Sequence, residues 1–245
     1  MISRRLFLAL TGCAVFAPRV AFSADEVPPM LDHILLGCHD LDQGITFIEE
    51  RTGVRAALGG VHPGRGTRNA LLSLGEHCYL EIIGPDPEQK DIQASAVPLV
   101  SMMKQLTNPR LIGWAVHPGE IQALGDRLRQ SGVAVQGPLP GSRTQPDGGI
   151  LSWKTLLLAD DRQGLLPFFI EWNASSVHPS TNAPKGCRLE RFAVAGPDPT
   201  ELSKTFQQLG IQVPVLMNPT PQLQARITSP KGKLELNSQT QLTAT

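Results

Sequence analysis

Leu31-Asp32-His33-Ile34-Leu35-Leu36 opens a pattern that the chain then follows twice more. A helical stretch closing at Thr52-Gly53-Val54 comes after it, and later Tyr79-Leu80-Glu81-Ile82-Ile83. Leu111-Ile112-Gly113-Trp114-Ala115-Val116 starts the second round, whose helix closes at Ser131-Gly132-Val133 and whose last strand is Phe168-Phe169-Ile170-Glu171-Trp172. The third round runs from Leu189-Glu190-Arg191-Phe192-Ala193-Val194 through Leu209-Gly210-Ile211 to Lys233-Leu234-Glu235-Leu236. Each reads strand, helix, further strands, with a lone Glu in an otherwise apolar final strand. Such repetition marks duplicated supersecondary units. Side chains alternate faces along a strand, so the odd charged residue of each final strand points away from its apolar neighbours, toward a shared interior where chemistry is expected.

Local signals support that plan. Asp42 to Thr52 places Ile45 and Ile48 on one helix face, and Glu120 to Ser131 places Ile121, Leu124 and Leu128 on another. Asp198-Pro199-Thr200-Glu201 is a capping box with Pro at the first helical position, followed by Leu202, Phe206 and Leu209. All three helices stop at a Gly, the residue that most cheaply adopts a left-handed end. Ala70 to Leu74, turned by Gly75-Glu76, and Ile150 to Leu158 read as strands, and the Pro- and Ser-rich stretch from Ser175 to Lys185 reads as a linker. The last unit is the shortest and runs into a polar tail, Gln239 to Thr245. It is read as a partial module that packs against the first two.

The chain has 245 residues, 41% of them hydrophobic, with 22 basic and 22 acidic residues. That length supports a substantial core, and the balanced charge argues against a phosphate-backbone partner, so no nucleic-acid role is expected. Met1 to Arg5 forms a basic n-region, Leu6 to Ala17 a short apolar segment, and Ala21-Phe22-Ser23 precedes a cut before Ala24. This pattern is that of a signal peptide, too short for a stable membrane span. Ser3-Arg4-Arg5-Leu6-Phe7-Leu8 is similar to the twin-arginine export motif, which implies a periplasmic protein exported folded. A general secretory signal, or a lipoprotein box at Leu10-Thr11-Gly12-Cys13, is the alternative. Removing this segment leaves Cys38, Cys78 and Cys187, an odd number that admits at most one disulfide; no CxxC or Cys/His ligand spacing appears.

Paired β-α-β-β-β units with a ligand-type residue on the first strand and a Glu on the last resemble the vicinal oxygen chelate superfamily, and within it the glyoxalase-like domain family. The resemblance is carried by Leu31-Asp32-His33, the loop His62-Pro63-Gly64-Arg65-Gly66-Thr67-Arg68-Asn69-Ala70, the strand from Tyr79 to Pro85, Gly113-Trp114-Ala115, Pro167 to Trp172, and His178-Pro179. It implies an α+β fold: tandem βαβββ modules curled into a half-open barrel, plus the partial third module. The expected division is a signal peptide at 1–24, a linker at 25–30, a glyoxalase-like domain at 31–179 with modules at 31–88 and 110–174, and the partial module with its tail at 180–245.

Strand parity puts His33 and Glu81 on one cavity wall, and the repeat adds Glu171. Imidazole and carboxylate are ligands for a borderline divalent ion. The expected metal set is therefore His33, Glu81 and Glu171, holding Zn, Fe, Mn or Ni, with Glu171 or Glu81 also serving as catalytic base. Relatives that use a metal take a ligand from the first strand of the second module, where this chain has Gly113; His117 lies too far along to replace it. A metal-free polar pocket built on a His33–Glu81 pair, with Glu171 paired to an Arg, is the other reading. Arg191 is expected to bridge Glu235 on a neighbouring strand. Arg65 in its Gly-rich loop offers a two-pronged contact to a carboxylate or phosphate, and Asn69, Trp114 and Arg143 are further substrate-binding candidates. Arg143, Asp147 and Trp153 form the matching loop of the second module. The expectation is an exported enzyme acting on a small, anionic, oxygenated compound, as an isomerase, lyase or ring-opening dioxygenase. The alternative is a metal-free binding or sequestering protein, and a homodimer is left open.

Overall fold

The computed structural model describes residues 27–145 and 148–239. The twin-arginine segment with Cys13 and the cut before Ala24, Asp147, and the tail from residue 240 lie outside the described residues. The first module comprises β1 (Leu31–Gly37), α1 (Leu41–Thr52), β2 (Ala57–His62), β3 (Thr67–Gly75) and β4 (Cys78–Pro85). A 3-10 turn (Ala94–Ala96) and α2 (Val97–Lys104) lead to the second, made of β5 (Arg110–Val116), α3 (Ile121–Gln130), β6 (Val135–Thr144), β7 (Ile150–Leu158) and β8 (Phe168–Trp172). After the short α4 (Pro179–Asn182) come β9 (Arg188–Gly196), α5 (Pro199–Leu209), β10 (Val215–Met217), β11 (Gln222–Ser229) and β12 (Gly232–Asn237).

The helices begin and end where their caps dictate. Asp40 accepts from the Gln43 amide ahead of α1, and Asp198 from the Glu201 amide ahead of α5. Gly53 and Gly210 close those helices at φ 77. α3 has no cap of its own: Glu120 makes no side-chain bond there, and the Ile121 amide is met instead by Glu171 of β8 at 2.9 Å.

Eight strands form one curled sheet in the order β2-β3-β4-β1-β5-β8-β7-β6. In each module the first strand runs parallel to the last, and the two first strands meet antiparallel at the centre. The central register pairs His33 with Ala115, Ile34 with Trp114 and Leu35 with Gly113. A two-fold relation through the Ile34–Trp114 pair therefore makes Gly113 the counterpart of His33 and Ala115 that of Leu35. The edge strands β2 and β6 are brought together at one point, where the Arg143 guanidinium donates to the Gly59 carbonyl. Gly60 is needed there: its φ is 143, and a Cβ would lie 2.6 Å from the Thr144 carbonyl oxygen.

The main core lies on the convex side. Ile34, Leu36, Leu72, Leu80, Ile82, Trp114 and Phe169 pack there with α1, α3 and the third unit's Phe192, Phe206, Leu223 and Ala225. The third unit keeps the order strand, helix, three strands but pairs differently, in a four-stranded sheet ordered β10-β9-β11-β12. β9 lies between β10 and β11, so Glu235 is not on a strand neighbouring Arg191. Arg226 of β11 stands between them in register, holding Glu235 at 2.5 Å while Arg191 approaches to 4.0 Å. The stretch 175–185 does more than link. α4 packs on β3 and β4, and the Pro184 carbonyl accepts from the Ser73 amide.

Candidate functional site

The concave face of the first module collects the polar residues. β1 pairs with β4 so that His33 lies opposite Tyr79 and Leu35 opposite Glu81, and His33 Nε2 sits 3.4 Å from Glu81 Oε2. The other carboxylate oxygen accepts from Asn69 Nδ2 at 2.7 Å and has His62 Nε2 3.7 Å away. His62 is tied through Nδ1 to Thr67 Oγ1 at 2.9 Å. Burial holds the His62 pKa below its ordinary value, outweighing the nearby Glu81, so this ring is neutral at pH 7. Glu81, His33 and Asn69 are all buried. Arg143, 5% exposed, has its pKa drawn down by burial and partly restored by the charge of Glu81.

Behind His33 lies a second polar group. Asp32 accepts from His33 Nδ1 at 2.6 Å, from Trp172 Nε1 at 2.8 Å and from His178 Nε2 at 3.2 Å. Its pKa is well below the usual carboxylate range: burial pushes it up, but the bonds from His178 and His33 and their charges outweigh that. His178 takes Ser180 on its other nitrogen, as the cap of α4. Tyr79 stacks on His33 with ring centroids 4.6 Å apart. The three cysteines are free and buried; for Cys38 and Cys78 burial pushes the thiol pKa up to about 12, which makes them inert.

Several expected site residues lie elsewhere. Glu171 is not brought to His33. Phe169 packs in the convex core, and Glu171, on the same face of β8, caps α3 and approaches Lys154 at 3.6 Å rather than an Arg. Ala115 pairs with Phe168, which makes Phe168 the counterpart of Glu81 by the two-fold relation. Trp114 is fully buried on the convex side, donating to the Leu165 carbonyl and packing on Phe192 at 4.9 Å. Arg65 is exposed in the β2–β3 turn, whose amides at Gly64 and Gly66 are held by Gln89. Asn69 and Arg143 do belong to the concave site. The site also takes in Asp32, His62, Tyr79, Trp172 and His178, of which only His62 and His178 stand out in the sequence, each followed by Pro.

A divalent ion needs three or more converging donors. His33 and Glu81 converge, but their counterparts Gly113 and Phe168 offer no donor atom, and Glu171 faces the other way. Among the described residues no three His, Cys, Asp or Glu side chains are placed to hold an ion. The donor set does not fit the metal that the resemblance implies.

Paired βαβββ modules sharing one concave face define a vicinal oxygen chelate protein. The chain belongs, more narrowly, to the glyoxalase-like domain family, whose family model matches residues 31–210. A hypothetical protein from Staphylococcus aureus is similar in structure at TM-score 0.60 and 17% identity, over 84% of each chain. That likeness concerns the fold alone. Methylmalonyl-CoA epimerase from Mycobacterium tuberculosis aligns at TM-score 0.40 and 18% identity, over 63% of this chain and 91% of that one. A Streptomyces coelicolor methylmalonyl-CoA epimerase variant in complex with 2-nitronate-propionyl-CoA aligns at 0.41 and 21%, over 59% and 97%. No curated protein sequence matches. Among the described residues no helix is long and apolar enough to cross a membrane.

Proposed function

We propose that the chain is an enzyme that moves a proton on a small oxygenated anion, with Glu81 and His33 as its acid–base pair and no step routed through a metal. The observation that carries this reading is the setting of Glu81. Its carboxylate is buried, fixed on one oxygen by Asn69, and faces a histidine whose far nitrogen is held by Asp32. Because Asp32 can only accept, His33 Nδ1 carries a hydrogen and Nε2 is directed at Glu81. Glu81 takes a proton from a substrate C–H or O–H and passes it to His33 Nε2, which returns it by the same route to a neighbouring substrate atom or exchanges it with solvent. The imidazolium so formed is stabilised by the Asp32 carboxylate, and Asp32 also fixes the ring orientation. Arg143 supplies the buried positive charge that draws an anionic group toward the carboxylate.

The test is proton exchange. Pyruvate, acetoacetate and related small oxo acids are incubated in D₂O with the enzyme, and deuterium entry at carbon is followed by NMR. Glu81→Gln keeps the side-chain shape and the contact with Asn69, and it should lower the exchange rate by about 100-fold or more. Equal rates in both proteins, at a level above solvent, would remove Glu81 from the reaction. Binding without exchange would favour the sequestering alternative.

We also propose export by the twin-arginine route, supported by Ser3-Arg4-Arg5-Leu6-Phe7-Leu8 ahead of a short apolar segment. Replacing Arg4 and Arg5 together with Lys should leave the precursor in the cytoplasm on cell fractionation. Continued export would overturn the route.

A further inference from the structure

Aromatic residues make up only 5% of this chain, with 3 Trp, 1 Tyr and 8 Phe. Yet Trp153, Trp172 and Tyr79 all lie on the concave face of the curled sheet, together with Phe168. Trp153 and Trp172 are directly paired across β7 and β8, their ring centroids 5.6 Å apart. Trp153 also approaches the His62 ring at 6.5 Å, and Phe168 meets the His33 ring edge-on at 5.5 Å. The rings of the second module thus reach both histidines that flank Glu81. Unlike Trp114, whose ring is sealed in the convex core, Trp153, Trp172 and Phe168 are only partly buried. On the same face, two residues from Ala115, the strand partner of Phe168, the backbone leaves room. Gly113 is buried, but a Cβ built on it would meet no atom within 4 Å. Glu81, His33 and His62 come from the first module and Arg143 reaches across to it from β6, donating to the Gly59 carbonyl, whereas the rings of Trp153, Trp172 and Phe168 come from the second.

We propose that the substrate of this site carries a planar aromatic ring joined to a carboxylate or carbonyl head. The ring lies in the space at Gly113, against Phe168 and the Trp153–Trp172 pair, and the head lies at His33, Glu81 and Arg143. This rests on the acid–base reading above and adds to it the chemical class of the substrate. A ring against ring edges gains dispersion and quadrupole contacts that an alkyl group of the same area does not.

The experiment compares phenylacetate with acetate by calorimetry, with Trp fluorescence as a second readout. Phenylacetate should bind about tenfold tighter or more, since each 1.4 kcal/mol is a factor of ten. Phe168→Leu and Trp153→Leu should each weaken phenylacetate more than acetate, so that the affinity ratio of the two acids falls toward one. Gly113→Ala, whose added Cβ meets no atom within 4 Å, and Gly113→Leu, checked for an unchanged fold by circular dichroism, should lower the phenylacetate preference, the second more than the first. Equal affinity for the two acids, or a preference untouched by all four substitutions, overturns the ring seat and leaves the proton-transfer reading standing. Failure to bind either acid overturns the ring seat and, with it, the anion seat at Arg143.

Discussion

Asp32→Ala is expected to destabilise the protein by about 3–5 kcal/mol, although Asp32 touches neither of the Glu81 oxygens. Removing one member of a buried charge network leaves the others without compensation, which typically costs about that much. Three donors would lose their acceptor together: His33 Nδ1, Trp172 Nε1 and His178 Nε2. Trp172 and His178 come from β8 and from the segment before α4, so Asp32 joins β1 to two elements distant in sequence. For a protein of this size the loss corresponds to a melting point roughly 6–20 °C lower. Urea denaturation of the two proteins at pH 7 measures it, and a difference below about 1 kcal/mol would show that Asp32 holds nothing together. The pH dependence follows from the depressed pKa. Unfolded, the carboxyl titrates near its ordinary value of 3.8; folded, it titrates lower. Its contribution is therefore complete above about pH 4 and fades as the pH falls through the folded value. The stability gap between wild type and Asp32→Ala should narrow progressively on acidification below pH 4, whereas a purely steric effect of the substitution would leave it constant.

Asp32 also shows where a reading of the sequence runs out. Strict alternation puts it on the face opposite His33, yet its carboxylate bonds the imidazole. The β1–β5 register skips between Leu31 and His33, and irregularities of this kind re-aim a side chain. Nothing in Leu31-Asp32-His33 announces the skip. His33 and Glu81 were legible because the β1–β4 register is unbroken and the repeat sets those strands side by side. Glu171 misled for a definite reason: it matches Glu81 as a glutamate in an apolar strand, whereas strand pairing aligns Phe168 with Glu81. The offset is three residues, and an odd offset reverses the face. β2 and β6 were not legible because Gly59-Gly60 and the Pro138 and Pro140 of β6 break any alternation; both are the edge strands, where such residues are tolerated. Trp114 could have been placed, since it alternates with Gly113, the residue at the inward ligand position of the second module's first strand.

That same register makes the strongest prediction about the metal. If the donor set misfits an ion because two of its four corners carry no donor, supplying them should create a site. Gly113→His places an imidazole at the counterpart of His33, where a new Cβ meets nothing within 4 Å. Phe168→Glu places a carboxylate at the counterpart of Glu81, on a residue already beside the His33 ring. The double variant should bind Zn²⁺ with a Kd below about 1 µM, near −8 kcal/mol. Wild type should bind at least about tenfold more weakly, and each single variant should fall between, because geometry rewards only the complete set. Equilibrium dialysis with elemental analysis reads all four proteins, and circular dichroism confirms that they fold alike. Stoichiometric zinc in the wild type would mean that His33 and Glu81 recruit a third donor, with His62 the nearest imidazole, and the metal-free mechanism would fall. A folded double variant with no gain in affinity would instead refute the two-fold register, and with it the assignment of Phe168 and Gly113 to the cavity wall.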